Sequence, residues 1–155
     1  MSKNINLEKK EVSLLLDLYN SGLFNKAESK AASLLKHHPK ELILYIILGA
    51  IYAIQGKLEQ AIFSYKEALN INPHYAEAYN NIGNVLQQKG SFKEAEKNYV
   101  KAISAKPDYA EAYYNYAILL TYNDKPDKAI EKYNKAILYN KNYFKAYYNI
   151  GILKL

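Results

Sequence analysis

The sequence predicts an all-α fold, an α-solenoid of four helix-turn-helix repeats plus a terminal helix. The first observation is a constant 34-residue period, at which prolines, alanines and tyrosines recur: Pro39, Pro73 and Pro107; Ala27, Ala61, Ala95 and Ala129; Tyr45, Tyr79, Tyr113 and Tyr147. The second is that apolar residues within each period recur at i, i+3, i+4 and i+7, the spacing of an amphipathic helix. A helical unit repeated in this way buries its apolar face against its neighbours.

The period predicts nine helices, near residues 8–20, 25–37, 42–54, 58–70, 75–88, 92–104, 109–121, 126–139 and 143–155. Gly49 and Gly83 are spaced to face alanines of the second helix in their repeats, which permits close helix contact. Gly56 and Gly90 fall in turns that require a positive φ, and Asn123 or Asp124 takes that place in the fourth repeat. The last helix is expected to leave uncovered the apolar residues Tyr147, Ile150 and Leu153.

Composition excludes several classes of protein. The 155 residues carry a formal charge of +6 and no cysteine, so disulfides, thiolate metal sites and cysteine nucleophiles are excluded. All 21 cations are lysine, and the absence of arginine argues against a nucleic-acid partner. The longest apolar run, 42–54, is too short to span a membrane, and the polar start at 1–10 predicts a cytoplasmic protein.

The repeat resembles the tetratricopeptide repeat, a 34-residue helix–turn–helix unit, over roughly residues 8–155. The matching residues of the second repeat are Tyr45, Leu48, Gly49, Tyr52, Ala61, Tyr65, Ala68 and Pro73. The resemblance implies a right-handed solenoid whose first helices line a concave groove, where ligands lie. It divides the chain into a flexible start, residues 1–7, and one continuous repeat domain. This domain contains four full repeats, 8–41, 42–75, 76–109 and 110–143, and the half repeat 144–155.

No pattern of catalytic residues stands out. The glycines are placed by the repeat and form no phosphate-binding loop, and no Ser-His-Asp or paired-carboxylate arrangement is present. His37, His38 and His74 fall at helix ends, where a capping role is expected, and no third ligand has a spacing that suits a metal. The sequence therefore predicts a protein that is not an enzyme and has neither a cofactor nor a metal.

Asparagines recur at the sixth position of three successive repeats, at Asn81, Asn115 and Asn149. An asparagine amide can donate to a peptide carbonyl and accept from a peptide N–H. A row of such amides could hold an extended peptide. The pattern is similar to the asparagine ladder of the superhelical repeats in O-linked N-acetylglucosamine transferases, although asparagine is also common in this chain.

A second use of the groove in this family is the carboxylate clamp, which holds the C-terminus of chaperone peptides. The corresponding positions of this chain are occupied by Asn80, Asn84, Asn115, Lys145 and Asn149. Two of the cations that the clamp requires are missing, so one lysine would have to neutralise the carboxylate. A full clamp is not expected.

The second repeat differs, because its first helix is apolar nearly all round. The residues expected to face the groove include Ile43, Ile46, Ile47, Ala50 and Ile54. A helix of this kind is usually buried. Its cover would be residues 1–7, a partner, or a second copy of the chain.

Together these features predict a non-catalytic module for protein–protein interaction that binds an extended peptide segment of a protein partner in its groove. Two alternatives remain: the substrate-recruiting arm of a glycosyl- or sulfotransferase-like enzyme, which rests on the resemblance alone, and a self-assembling scaffold. A homodimer would form through 43–54 or the terminal helix.

Overall fold

The computed structural model describes Leu7 and residues 9–155, and in this part of the chain it contains nine α-helices and no strand. The helices are α1 (Lys9–Asn20), α2 (Phe24–His37), α3 (Leu42–Ile54), α4 (Leu58–Ile71), α5 (Ala76–Gln88), α6 (Phe92–Ala105), α7 (Ala110–Tyr122), α8 (Pro126–Tyr139) and α9 (Phe144–Leu153). Every helix begins and ends within two residues of its predicted bounds. The all-α fold of helix-turn-helix repeats is confirmed.

The chain divides into two compact units between His74 and Tyr75. The first contains α1–α4 and the second contains α5–α9. The most extensive packing lies within three hairpins, α3 with α4, α5 with α6, and α7 with α8. We refer below to α3, α5, α7 and α9 as first helices and to α4, α6 and α8 as second helices.

The turns within the hairpins follow the prediction. Gly56 and Gly90 have φ values of 73° and 77°, in the left-handed region that disfavours a Cβ. Asp124 takes the same conformation in the turn between α7 and α8, with a φ of 53°. Pro126 follows at the start of α8, where its missing N–H costs no hydrogen bond.

The atoms nearest to the contact glycines belong to a tyrosine, not to the expected alanine. A Cβ built on Gly49 would lie 2.6 Å from Cε1 of Tyr65, and one built on Gly83 would lie 2.6 Å from Cε1 of Tyr99. The tyrosine of the second helix therefore takes the space that a side chain on the glycine would need. The glycine allows an aromatic ring, rather than a second small residue, to lie against the first helix.

The core of the second unit contains part of α9. Ala117, Ala129, Tyr133 and Ala146 are buried in one cluster, and Ile150 and Leu153 pack against it. The expectation that Ile150 and Leu153 lack a cover is wrong, because α8 and α7 supply it. Of the three residues named, only Tyr147 is exposed, by 50%.

Candidate functional site

Two cavities lie between successive first helices of the second unit. The first cavity has a volume of about 380 Å³ and is lined by Asn84, Gln87, Gln88, Phe92, Asn115, Ile118 and Tyr122. The second cavity has a volume of about 330 Å³ and is lined by Ile118, Thr121, Tyr122, Tyr133, Asn149, Ile152 and Leu153. The first lies between α5 and α7, and the second between α7 and α9.

The second cavity repeats the first, one repeat period further along the chain. Five lining positions correspond: Asn84 with Ile118, Gln87 with Thr121, Gln88 with Tyr122, Asn115 with Asn149, and Ile118 with Ile152. Two of the three predicted ladder asparagines thus occupy equivalent places in two equivalent cavities.

A hydrogen-bonded chain fixes the amide of Asn115. Its Nδ2 donates to Oδ1 of Asn80 at 3.1 Å, and Nδ2 of Asn80 donates to Oε1 of Glu111 at 3.4 Å. Asn80 is fully buried, so it supports Asn115 from behind and does not present its own amide to a ligand. Asn115 keeps one N–H and its carbonyl oxygen for a bound molecule.

The amide of Asn149 is held by two tyrosines. Its Nδ2 lies 3.1 Å from the hydroxyl of Tyr133 and 3.4 Å from that of Tyr114, and it donates to both. Burial raises the pKa of Tyr133, which keeps this hydroxyl protonated. With both N–H groups directed at tyrosines, Asn149 offers its carbonyl oxygen to a ligand.

Asn84 is positioned in a related way by Tyr99. The Tyr99 hydroxyl lies 2.8 Å from Oδ1 of Asn84 and 2.9 Å from Oε1 of Gln87, and its single proton can be donated to only one of them at a time. Tyr99 is only 1% exposed, because its ring crosses Gly83 and its hydroxyl ends beneath the amides that line the first cavity.

The five residues at the clamp positions do not converge on one cavity. Lys145 is exposed and lines a separate depression of about 410 Å³ with Asn140, Asn142, Tyr143 and Phe144. Neither the first nor the second cavity is lined by a charged side chain.

The remaining ladder residue, Asn81, lies on α5 and is half-buried. Its side-chain amide makes no hydrogen bond to any other residue in the described part of the chain.

The apolar helix of the first unit is largely covered. Ile47 is buried in a core with Leu15, Leu34 and Leu44, so it belongs to the interior and not to an open groove. Ile43 packs against this core, Ile46 and Ala50 are half-buried, and Ile54 is 53% exposed. Leu7 also packs on the core, whereas residues 1–6 and Glu8 lie outside the described residues.

The two cavities differ in chemistry. Four amide side chains line the first: Asn84, Gln87, Gln88 and Asn115. The second keeps one amide, Asn149, and adds Ile152 and Leu153 to the Ile118 that lines both cavities. Asn84, at the ninth repeat position, was among the predicted site residues, whereas Gln87, Gln88 and Ile118 were not. The constant spacing of these residues with their counterparts in the next repeat was the signal that could have found them.

Within Leu7 and residues 9–155, no three histidine or acidic side chains are grouped so that they could hold a metal ion. No helix in the same residues has the length and apolar character needed to cross a membrane.

Comparison with known proteins gives two family matches. Residues 49–90 match the family described as "TPR repeat", and residues 74–137 match "Tetratricopeptide repeat". A stretch of 60 residues is 38% identical to the BBSome complex member BBS4 of Mus musculus. That stretch is 39% of this chain but only 11% of the length of BBS4.

Solved structures share the fold. The crystal structure of MamA is 28% identical, with a TM-score of 0.76 over 88% of this chain and 80% of MamA. The first TPR of Spaghetti (RPAP3), solved with the HSP90 peptide SRMEEVD, is 20% identical, with a TM-score of 0.68 over 73% of this chain and 90% of that one. The constant repeat period, the helical hairpins and these matches together show that the chain belongs to the tetratricopeptide-repeat family.

Proposed function

We propose that this protein is an interaction module whose second unit binds an extended peptide segment of a protein partner across the first and second cavities. The observation that carries the proposal is the recurrence of one cavity in the next repeat, each time with an asparagine at the same position. The peptide complex of the RPAP3 repeat supports it, because that relative of the same fold binds a peptide.

The polar groups in the cavities suit a peptide backbone. Asn115 offers both a donor and an acceptor, and Asn149 offers an acceptor for a peptide N–H. A backbone carries one donor and one acceptor per residue and no charge, and the cavity walls likewise carry polar groups without charge. Because the asparagine side chains are already fixed by hydrogen bonds, binding costs little side-chain entropy.

The residues that line each cavity predict which side chains of the bound peptide enter it. The amides of the first cavity favour a polar side chain such as serine, asparagine or glutamine. The isoleucines and the leucine of the second cavity favour an apolar one. Since helices in contact lie ~8–10 Å apart and an extended chain rises ~3.3 Å per residue, the two side chains are about three residues apart.

The first unit carries an apolar surface of its own. Ile54 and the half-buried Ile43, Ile46 and Ala50 would contact apolar side chains of the partner. Of the two surfaces predicted for a homodimer, α9 keeps more exposed apolar residues than α3 does. The homodimer stays a prediction, and sedimentation velocity as a function of protein concentration tests it.

The direct test selects short peptides from a phage library on the immobilised chain and measures their affinity for variants. Replacing Asn81, Asn115 and Asn149 together by alanine should weaken binding by roughly ten- to a thousandfold, since each neutral hydrogen bond contributes ~0.5–1.5 kcal/mol. The matched control is Asn134→Ala, which removes an exposed asparagine of a second helix and should change nothing.

Circular dichroism and urea unfolding must accompany this test, because Asn115→Ala also leaves Oδ1 of buried Asn80 without its donor. A folded triple variant that binds the selected peptides as tightly as the parent chain would refute the proposal.

A further inference from the structure

We propose that a third cavity, in the first unit, docks an aromatic side chain of a partner protein that stands next to a lysine or arginine. This third cavity has a volume of about 480 Å³ and is lined by Leu35, Tyr45, Leu48, Tyr52, Glu59, Gln60, Phe63 and Ser64. It lies between α2 and α4, which both pack on α3. None of these three helices lines the first or the second cavity, so the third cavity is a separate site.

The corresponding place in the second unit, between α6 and α8, is filled by the chain itself. The ring of Tyr116 comes from α7 and stacks on Tyr99, with 6.2 Å between the ring centroids. Its hydroxyl donates to Oε1 of Glu96 at 2.6 Å, and Nζ of Lys132 lies 5.9 Å from its ring centroid. An aromatic ring is thus the side chain that fits between two helices at this place in the repeat.

Smaller residues leave this place open in the first unit. Two repeat periods before Tyr99, Tyr116 and Lys132, the chain has Ala31, Leu48 and Ser64. These three smaller residues are all buried, by 92% or more. Less side-chain volume therefore lies between α2 and α4 than between α6 and α8. A ring that enters the third cavity gains dispersion contacts that its walls otherwise lack.

The lining of the third cavity also favours an aromatic occupant. Tyr45 and Tyr52 are half-buried in its wall, and Phe63 is 64% exposed at its edge. In the next two second helices the position of Phe63 holds charged residues, Lys97 and Glu131. A phenylalanine at such an exposed position is stabilised when an apolar or aromatic group covers it. The volume of the cavity is in the range of ligand pockets, which are mostly apolar with a few polar groups.

The charges of α4 favour a basic residue beside the aromatic one. Glu59 is the one charged residue among the eight that line the third cavity. Glu67 stands four residues after Phe63, and therefore on the same side of α4. Lys57 is paired with Glu28 at 3.0 Å, so these two charges compensate each other. A lysine or arginine of the partner would complement the two glutamates of α4.

The experiment titrates the full chain, labelled with ¹⁵N, with three capped peptides and follows the amide signals by NMR. The first peptide is acetyl-Gly-Phe-Lys-Gly-amide, the second has glutamate in place of lysine, and the third has alanine in place of phenylalanine. The first should shift signals of α3 and α4. Loss of the ring should weaken binding roughly ten- to a hundredfold, and the change from lysine to glutamate about two- to fivefold.

Variants of the chain test the site itself. Leu48→Tyr copies the residue that fills this place in the second unit, and it should weaken binding of the first peptide at least tenfold. Phe63→Ala changes an exposed residue, so it should fold as the parent does and also bind more weakly. The matched control is Lys97→Ala at the same repeat position, which should bind as the parent does. Circular dichroism confirms that each variant is folded.

Unchanged affinity of the folded Phe63→Ala chain for the first peptide would overturn the proposal. Signals that shift only in other helices would overturn it, as would equal affinities for the lysine and glutamate peptides. Sedimentation velocity tests a different occupant. Self-association of the parent chain that Phe63→Ala abolishes would also overturn the proposal, because a second copy would then cover the third cavity.

Discussion

The ring of Tyr99 lies against the backbone of Gly83, so that even a methyl group on this glycine would come within 2.6 Å of Cε1. The Tyr99 hydroxyl, on the carbon next to Cε1, reaches Asn84 and Gln87 in the wall of the first cavity. One contact thus connects the packing of the third repeat with the amides of the candidate site.

We expect Gly83→Ala to destabilise the protein by about 1–3 kcal/mol, because the ring of Tyr99 must move in a packed interior. The matched change is Gly151→Ala at the same repeat position, where nothing lies within 4 Å. There alanine should stabilise α9 by about 0.5–1 kcal/mol, since it reduces the backbone entropy lost on folding. Urea unfolding measures both, and effects of the same sign would contradict the packing described.

We expect Asp124→Gly to raise the free energy of unfolding by up to about 1 kcal/mol. Asp124 has a φ of 53°, a conformation that costs a residue with a Cβ more than it costs glycine. The converse change, Gly90→Ala in the equivalent turn, should destabilise by a similar amount, because its φ is 77°. Urea midpoints that do not move in opposite directions would show that the turns are not equivalent.

We expect stability to fall in alkaline solution partly through Tyr143. Burial, followed by the charge of Glu111, raises the pKa of Tyr143 from its usual value near 10 to about 12. The unfolded chain therefore loses this proton first, and the stability that Tyr143 contributes below pH 10 is lost between pH 10 and 12. Urea midpoints at pH 8 and 11 should differ less for Tyr143→Phe than for the parent.

The control for this pH measurement is Tyr148→Phe, since Tyr148 is 70% exposed and lies on the adjacent helix α9. It should leave the difference between the two midpoints as it is in the parent chain. A Tyr143→Phe chain with the same alkaline loss as the parent would rule out this source of pH dependence.

We expect Tyr133→Phe to lower the free energy of unfolding by about 0.5–1.5 kcal/mol, because Asn149 then loses its acceptor at 3.1 Å. The side-chain amide signals of Asn149 should shift in an NMR spectrum of the variant. Tyr122→Phe removes a hydroxyl from a residue that is 73% exposed and serves as the control. Unchanged Asn149 signals would mean that Tyr133 does not position this amide.

The repeat period was sufficient to predict the helices and the turns. Gly90 and Asp124 lie in turns because the helical spacing of apolar residues stops there. Such a break can be recognised from the neighbouring residues in the sequence alone. The period also predicted that Asn115 and Asn149 occupy equivalent places, since equal sequence positions in a repeat have equal environments.

The period could not predict which atoms meet across a hairpin. Gly83 was assigned to an alanine, but the side-chain rotamer of Tyr99 decides what lies nearest, and it depends on packing in three dimensions. The period also could not predict which side chains are buried. Asn80 and Ile47 stand at groove positions in the sequence, yet neighbouring helices bury both of them.

The difference in polarity between the two cavities affects how a bound segment is aligned with them. If the cavities were chemically identical, a segment lying across them could slide by one repeat and keep the same contacts. Here such a step would move a side chain from amides such as Gln88 to a wall that includes Ile152 and Leu153. The mismatch would fix the register of the bound segment. It would also fix its direction, because a reversed chain would place its apolar side chain in the first cavity and its polar side chain in the second.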